Sequence, residues 1–86
     1  MAQSYLNRAR RHLDKIKYYH DQAGVNGYSQ SEPHYNGISE CYRKSNAKRS
    51  GETPVIHSFY LEAGRLMIAM QEREKRTSDP DKAVDQ

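Results

Sequence analysis

Residues 3–23 carry their apolar side chains at intervals of three and four, which constrains the fold more than any other feature of the chain. This alternation places side chains on one face of an α-helix. The face is formed by Leu6, Ala9, Leu13, Ile16, His20 and Ala23. Ser4 suits the N-cap, and Gly24 follows the last periodic residue, where helices commonly end. We therefore predict an amphipathic helix near residues 3–23.

A second helix is predicted near residues 32–48, after the turn-forming segment GVNGYSQSEP, with a start close to Ser31. Pro33 would lie in the first turn, where a residue has no intrahelical partner for its N–H. The inward face would carry Tyr35, Ile38, Cys41 and Tyr42, with His34 and Ser45 beside them. Asn36 and Gly37 have low helix propensity, so the pattern defines this helix less well than the first.

The third helix is predicted near residues 54–76, with Thr53 as N-cap and Pro54 at the first helical position. Its main apolar stripe comprises Val55, Ile56, Phe59, Tyr60, Ala63, Leu66, Met67 and Met70. A second stripe, a third of a turn away, comprises His57, Leu61, Gly64 and Ile68. Such a helix commonly packs between two neighbours. Gly64 either admits another backbone at close range or is simply tolerated.

Three helices with short connections predict an all-α fold, a small three-helix bundle forming one domain over residues 1–76. Residues 77–86 lack periodicity and are predicted to form a flexible C-terminal tail. The core is thin, because only 15 of the 86 residues are Val, Ile, Leu, Met or Phe. Seven tyrosines supply part of the missing apolar surface. If the second helix is weak, dimerisation through the second stripe would complete the bundle.

Cysteine usage and hydropathy indicate the compartment. Cys41 is the single cysteine, so the chain forms no internal disulfide, which favours a reducing environment. No run approaches the ~18 apolar residues of a membrane span, and no signal-peptide pattern is present. We therefore expect a cytoplasmic protein without a membrane partner.

Positive charge is concentrated in the N-terminal half. Residues 1–49 hold nine lysines and arginines against four acidic residues, whereas residues 50–86 hold five against seven. A basic half of this kind is suited to face phosphates or an acidic protein.

The outward face of the first helix carries a row of cations, Arg8, Arg11 and Lys15, with Tyr18 and Tyr19 at its end. Such a row can follow a phosphate backbone while tyrosine rings stack on bases. A second basic cluster would extend this surface: Arg43, Lys44, Lys48 and Arg49. The alternative is an ordinary solvated helix face. No helix-turn-helix, zinc-finger, RRM or KH signature accompanies the pattern.

Catalytic and metal-binding signatures are not found in the sequence. His12 and His20 are eight residues apart, which does not place two ligands on one helical face, and CxxC and HExxH motifs are absent. Nothing around Cys41 matches a cysteine hydrolase, and the position suggests a small core residue. We therefore predict no enzyme, no metal and no cofactor.

The remaining pattern favours a non-catalytic interaction protein that binds a larger protein as a regulator or inhibitor. The thin core, the double-striped third helix and the abundance of Tyr and Arg motivate this prediction. The candidate partner-binding residues are Arg8, Arg11, Lys15, Tyr18, Tyr19, Leu61 and Ile68. By size and type alone, such a chain suits a phage or other mobile element. The alternative is a nucleic-acid-binding protein that uses Arg8, Arg11, Lys15, Arg43, Lys44, Lys48 and Arg49.

Overall fold

Three helices account for nearly all the residues that the computed structural model describes, 4–22 and 26–78. They are α1 (Tyr5–Asp21), α2 (Gly27–Ala47) and α3 (Thr53–Ser78), and each packs against the other two. Residues early in α2 contact residues late in α1 and α3, and residues at the end of α2 contact the beginnings of α1 and α3. Helix α2 is therefore antiparallel to both neighbours, so the bundle is up-down-up, with α1 parallel to α3. The predicted all-α three-helix bundle is confirmed. None of the described helices is both long and apolar enough to cross a membrane.

Helix α1 follows the predicted pattern closely. The Ser4 hydroxyl accepts a hydrogen bond from the backbone N–H of Asn7 at 3.1 Å, which confirms it as the N-cap. Ala9, Leu13 and Ile16 are buried, as their spacing predicts. The last predicted stripe residue, Ala23, and the expected helix-ending Gly24 lie outside the described residues.

Helix α2 begins at Gly27, so the predicted start near residues 31–32 is wrong. The reason is a contact with α3: a Glu74 carboxylate oxygen accepts a hydrogen bond from the Tyr28 N–H at 2.7 Å. Gly27 is buried, and a Cβ there would lie 3.0 Å from the sulfur of Met70. Contacts with distant residues thus add a turn to the helix, and Pro33 lies inside it.

The C-terminus of α2 is closed by a left-handed residue. Arg49 has a φ of 55°. Its N–H donates to the Asn46 carbonyl at 3.0 Å, and the Ser50 N–H donates to the Ser45 carbonyl at 3.0 Å. This bond pair is the Schellman arrangement, in which glycine usually occupies the left-handed position.

Helix α3 begins with Thr53 as its first residue, so the assignment of Thr53 as N-cap is wrong by one position. The Thr53 hydroxyl donates to the Ser50 carbonyl at 2.9 Å and lies 2.6 Å from the hydroxyl of Ser45. Because the Thr53 proton is engaged, the buried Ser45 hydroxyl acts as the donor between them. The helix continues to Ser78, so residues 77–78 of the predicted tail are helical, and residues 79–86 lie outside the described part.

The core is assembled from the predicted stripes of all three helices. Its buried members are Ala9, Leu13, Ile16, Ile38, Cys41, Ile56, Ala63, Met67 and Met70. Tyr35 and Tyr42 of the predicted α2 face are half-buried. Their rings stack on Tyr60 at 5.1 and 6.5 Å between centroids, so tyrosines form much of the α2–α3 contact. Val55 was predicted to be core but is 43% exposed in the first turn of α3.

Helix α2 covers only part of the second stripe of α3. The ring of Tyr42 lies 5.2 Å from that of His57, and a Cβ at Gly64 would contact Tyr35 at 3.9 Å. No backbone approaches Gly64 among the described residues, which favours the tolerated-glycine alternative. Leu61 and Ile68 are 49% and 58% exposed.

Candidate partner-binding surface

The outward face of α1 presents a cationic row, defined here as Arg8, Arg11 and Lys15. All three side chains are exposed. Among the described residues, none of them forms an ion pair with an acidic side chain. With a helical rise of about 1.5 Å per residue, the row is about 10 Å long. It is therefore a short, solvated set of positive charges available to a ligand.

The two tyrosines at the end of the row have different environments. Tyr18 is 56% exposed, and its ring meets that of Tyr19 edge-on at 5.3 Å between centroids. Tyr19 is half-buried and stacks on the imidazole of His34 in α2 at 6.2 Å. Tyr18 thus offers an accessible ring, whereas Tyr19 joins α1 to α2.

A groove of about 510 Å³ opens between α1 and α2 beside the cationic row. We call it the α1–α2 groove. It is lined by Arg11, His12, Asp14, Lys15, Tyr18 and His34. Three of these residues were predicted from the sequence as partner-binding residues, and the structure brings them to one concave site.

Sequence reasoning missed the two histidines that line this groove, His12 and His34. Nδ1 of His12 lies 3.1 Å from Nδ1 of His34, which joins α1 to α2 through an N–H···N hydrogen bond. The ring centroids are 5.4 Å apart. Each histidine borders the apolar face of its own helix, and that position is the only signal the sequence contains. Their pairing depends on the register between two helices, which the spacing within either helix does not give.

Gly37 makes room for this pair. A Cβ on Gly37 would lie only 2.5 Å from Nε2 of His12, which is far inside van der Waals contact. The glycine that weakens the sequence signal for α2 therefore allows the imidazole to pack against the helix backbone.

The environment of the pair disfavours its protonation. Burial, followed by the neighbouring imidazole of His34 and the guanidinium of Arg8, lowers the pKa of His12 below its usual value of 6.5. Burial, followed by the ammonium group of Lys15, lowers the pKa of His34 in the same way. Both imidazoles are therefore neutral at pH 7, when one donates its Nδ1–H to the other.

The second basic cluster reaches the same side of the bundle at one end. The ammonium group of Lys48 lies 5.4 Å from the ring centroid of Tyr5, at the start of α1. Lys48 therefore lies close to the start of α1, although the sequence separates it from Tyr5 by more than forty residues.

Other cations are engaged with carboxylates. Glu40 Oε2 lies 3.5 Å from Lys44 and 3.6 Å from Arg43, and Glu62 lies 3.5 Å from Lys17. These exposed pairs contribute little to stability, but they reduce the positive charge presented by α2. Arg49, the last member of the cluster, closes α2 in its left-handed conformation.

Leu61 and Ile68 form a separate exposed apolar pair on α3, which we call the outer seam. Ile68 also lines a smaller groove of about 270 Å³ between α2 and α3, together with Tyr35, Gly64 and Met67. The two proposed binding surfaces are thus on different helices and have different chemistry, one cationic and aromatic, the other apolar.

Cys41 is buried in the core at 5% exposure, as its position in the sequence suggests. Burial raises the pKa of its thiol, although Arg8 and Lys44 act in the opposite direction. Within residues 4–22 and 26–78, no group of three or more His, Cys, Asp or Glu side chains is placed to hold a metal ion. Comparisons with protein-family models, with curated proteins and with solved structures found no match to this chain.

Proposed function

We propose that this protein is a non-catalytic interaction protein that binds an acidic surface of a larger protein partner and thereby regulates or inhibits it. The supporting observation is the α1–α2 groove, where Arg11, Lys15 and the ring of Tyr18 converge on one concave site. Arginine and tyrosine, together with tryptophan, are enriched in the energetic centres of protein interfaces. Lysine at the rim steers an acidic partner and raises the association rate.

The size of the site favours a protein partner over a nucleic acid. A cationic row of about 10 Å spans only about three phosphates along one DNA strand. Proteins that bind duplex DNA strongly neutralise about six to ten phosphates.

Nucleic-acid binding is the second candidate function, and one observation favours it. The ammonium group of Lys48 lies over the ring of Tyr5, about one helical turn before Arg8, which places a cation from the second basic cluster near the start of the cationic row. With Lys48 added to the cationic row, this surface would contact more phosphates than α1 alone.

The outer seam is proposed as a second contact, either with the same partner or with a second copy of this chain. Leu61 and Ile68 are both about half exposed, one helical heptad apart on α3. A twofold dimer would bring the same pair together from both subunits. We further propose a cytoplasmic location, where Cys41 stays reduced, and the role of a small regulator such as those carried by phages or mobile elements.

A pull-down from cell lysate, with and without nuclease, tests the proposal. We expect the tagged protein to retain a protein partner after nuclease treatment. The variant Arg8→Ala/Arg11→Ala/Lys15→Ala should lose that partner while keeping its helical circular dichroism. A matched control is Arg65→Ala/Lys75→Ala/Arg76→Ala, which removes the same number of exposed cations from α3.

Loss of all captured material upon nuclease treatment would instead support the nucleic-acid candidate. Affinity for an oligonucleotide would then fall linearly with salt on logarithmic axes. For the outer seam, Leu61→Ser/Ile68→Ser should leave the fold intact and change either partner capture or the molar mass measured by light scattering. If the wild-type chain is a monomer and this variant merely unfolds, the outer seam is part of the core rather than a contact.

A further inference from the structure

We propose that the α1–α2 groove binds a carboxylate group of an acidic peptide segment, and that the His12–His34 pair takes up one proton as that carboxylate binds. This inference rests on the proposed function, because it assigns the ligand and the regulation of the same site. The proton uptake makes the affinity of the protein for its partner increase as the pH falls.

The geometry places the histidine pair where an anion would bind. Both imidazoles line the groove together with Arg11 and Lys15. His12 directs Nδ1 at His34 and packs its Nε2 edge against Gly37, so its two nitrogens face neighbouring protein groups. Among the described residues, no hydrogen bond uses Nε2 of His34, which leaves that nitrogen for a proton and a ligand.

The histidine pair takes up no more than one additional proton. The neutral pair holds one proton between the two Nδ1 atoms, donated by one ring and accepted by the other. We assign the shared Nδ1–H to His34 and the acceptor Nδ1 to His12, so that Nε2 of neutral His34 carries no proton. A proton added at Nε2 of His34 then leaves this hydrogen bond intact and creates an imidazolium N–H that donates to a carboxylate. A second added proton would put N–H groups on both Nδ1 atoms, which breaks the bond and sets two imidazolium rings with their centroids 5.4 Å apart.

Burial, and after it the surrounding positive charges, oppose protonation of the pair until an anion arrives. Arg8, Arg11 and Lys15 face it from α1, and only Asp14 among the groove residues carries a negative charge. An incoming carboxylate offsets the repulsion from the cations and favours the imidazolium. By linkage, a ligand that favours the protonated groove binds more tightly when protons are abundant.

The groove's dimensions and walls favour a peptide carboxylate over a phosphate backbone. The volume of about 510 Å³ holds a few residues, and the exposed ring of Tyr18 provides an apolar wall. Asp14 can accept a backbone N–H from a peptide, whereas DNA phosphates offer no donor at that position.

A capped hexa-aspartate peptide is a suitable probe, because aspartate stays ionised throughout the relevant pH range. Binding is measured by isothermal titration calorimetry at about pH 7.5 and about pH 5.5, in buffers of different ionisation enthalpy. We expect the affinity to rise by up to about tenfold at the lower pH, with uptake of at most about one proton. In a pH titration followed by NMR, the peptide should raise the pH at which the His34 ring signals are halfway through their shift.

The variant His12→Gln/His34→Gln should bind the peptide with little pH dependence and no proton uptake. The matched control His20→Gln/His57→Gln removes two histidines outside the groove and should keep the wild-type pH dependence. The NMR titration of the unmodified protein gives the same information if the double variant does not fold.

Each outcome bears on a different claim. Peptide binding by the wild type that is independent of pH overturns proton uptake and leaves the proposed function standing. No peptide binding at either pH overturns the carboxylate site, while the lysate pull-down tests the proposed function separately. Tighter, pH-dependent binding of an oligothymidylate of matched charge would overturn the peptide assignment in favour of nucleic acid.

Discussion

The imidazole of His12 fills the space beside Gly37 that any larger residue would occupy. The His12 side chain of α1 therefore packs directly against the backbone of α2 at Gly37. A Cβ on residue 37 would lie 2.5 to 2.8 Å from three atoms of the ring. The contact fixes the distance between α1 and α2 at the groove.

Gly37→Ala is expected to destabilise the protein. Overpacking costs about 1 to 3 kcal/mol, and the better helix propensity of alanine returns about 1 kcal/mol, so we expect a net loss of up to about 2 kcal/mol. Urea denaturation followed by circular dichroism measures the loss. Combining it with His12→Ala should remove the clash, and a purely additive double-mutant cycle would contradict the contact.

Gly64→Ala is the matched control. It also replaces a mid-helix glycine, but its Cβ would contact the Tyr35 ring at an ordinary 3.9 Å. Without a clash, the propensity gain should raise the free energy of unfolding by about 0.5 to 1 kcal/mol. A loss of stability here would show that α2 and α3 pack more tightly at Gly64 than the structure indicates.

Acidification should destabilise the free protein through the histidine pair. The folded state holds the pKa of both His12 and His34 below 6.5, so between that value and their folded pKa the unfolded chain binds more protons. The free energy of unfolding therefore falls as the pH decreases through this window, and the contribution of the pair is fully present above it.

Urea midpoints measured at several values between about pH 7.5 and pH 5 test this dependence. His12→Gln/His34→Gln should flatten the profile, because neither glutamine titrates. His57→Gln, at an exposed position against Tyr42, should keep the wild-type slope. A profile that is equally steep in the double variant would assign the pH dependence to other groups.

Glu74 should hold the first turn of α2 in place. Its carboxylate accepts the Tyr28 N–H at 2.7 Å, at the positive end of the helix dipole. Glu74→Ala should lower stability by about 1 to 2 kcal/mol and speed hydrogen exchange at the Tyr28 amide. Glu72→Ala, which removes an exposed carboxylate from the same helix, should change neither quantity appreciably. Unchanged exchange in Glu74→Ala would mean that the turn forms without this contact.

The sequence predicts the parts of the fold that depend on the spacing of apolar residues within one helix. The stripe of α1 and the main stripe of α3 place Leu13, Ile16, Ile56 and Met67 in the core, because helical periodicity decides which side chains share a face. Exposure of Leu61 also agrees with its position off the main stripe.

The missed features depend on residues that are distant in the chain. The start of α2 is set by Glu74, which is 46 residues beyond Tyr28, so the local turn signals and Pro33 give a start that is too late. The lining of the α1–α2 groove requires His12 and His34 to meet across two helices. The cationic row itself was predictable, because Arg8, Arg11 and Lys15 belong to one helix face.

Arg49 lies at a left-handed helix end, where backbone conformation favours glycine but a role in anion binding would favour arginine. Glycine is the expected residue at a left-handed helix end, yet the chain places Gly51 two residues later and an arginine at φ 55°. A left-handed conformation costs a residue with a Cβ about 1 to 2 kcal/mol. Replacing the arginine with glycine removes this cost, but the greater flexibility of glycine in the unfolded state offsets part of the stabilisation. We therefore expect Arg49→Gly to stabilise the protein by about 0.5 to 1 kcal/mol.

Arg49→Ala separates the backbone effect from the charge. It removes the guanidinium but keeps the Cβ and its strain, so its stability should remain close to that of the wild type. If Arg49 belongs to a nucleic-acid-binding surface, both variants should weaken oligonucleotide binding equally, although only the glycine variant is stabilised. Unchanged binding in both would exclude Arg49 from that surface and leave a strained arginine without a role in binding. Urea denaturation and fluorescence anisotropy with a labelled oligonucleotide supply the two readouts.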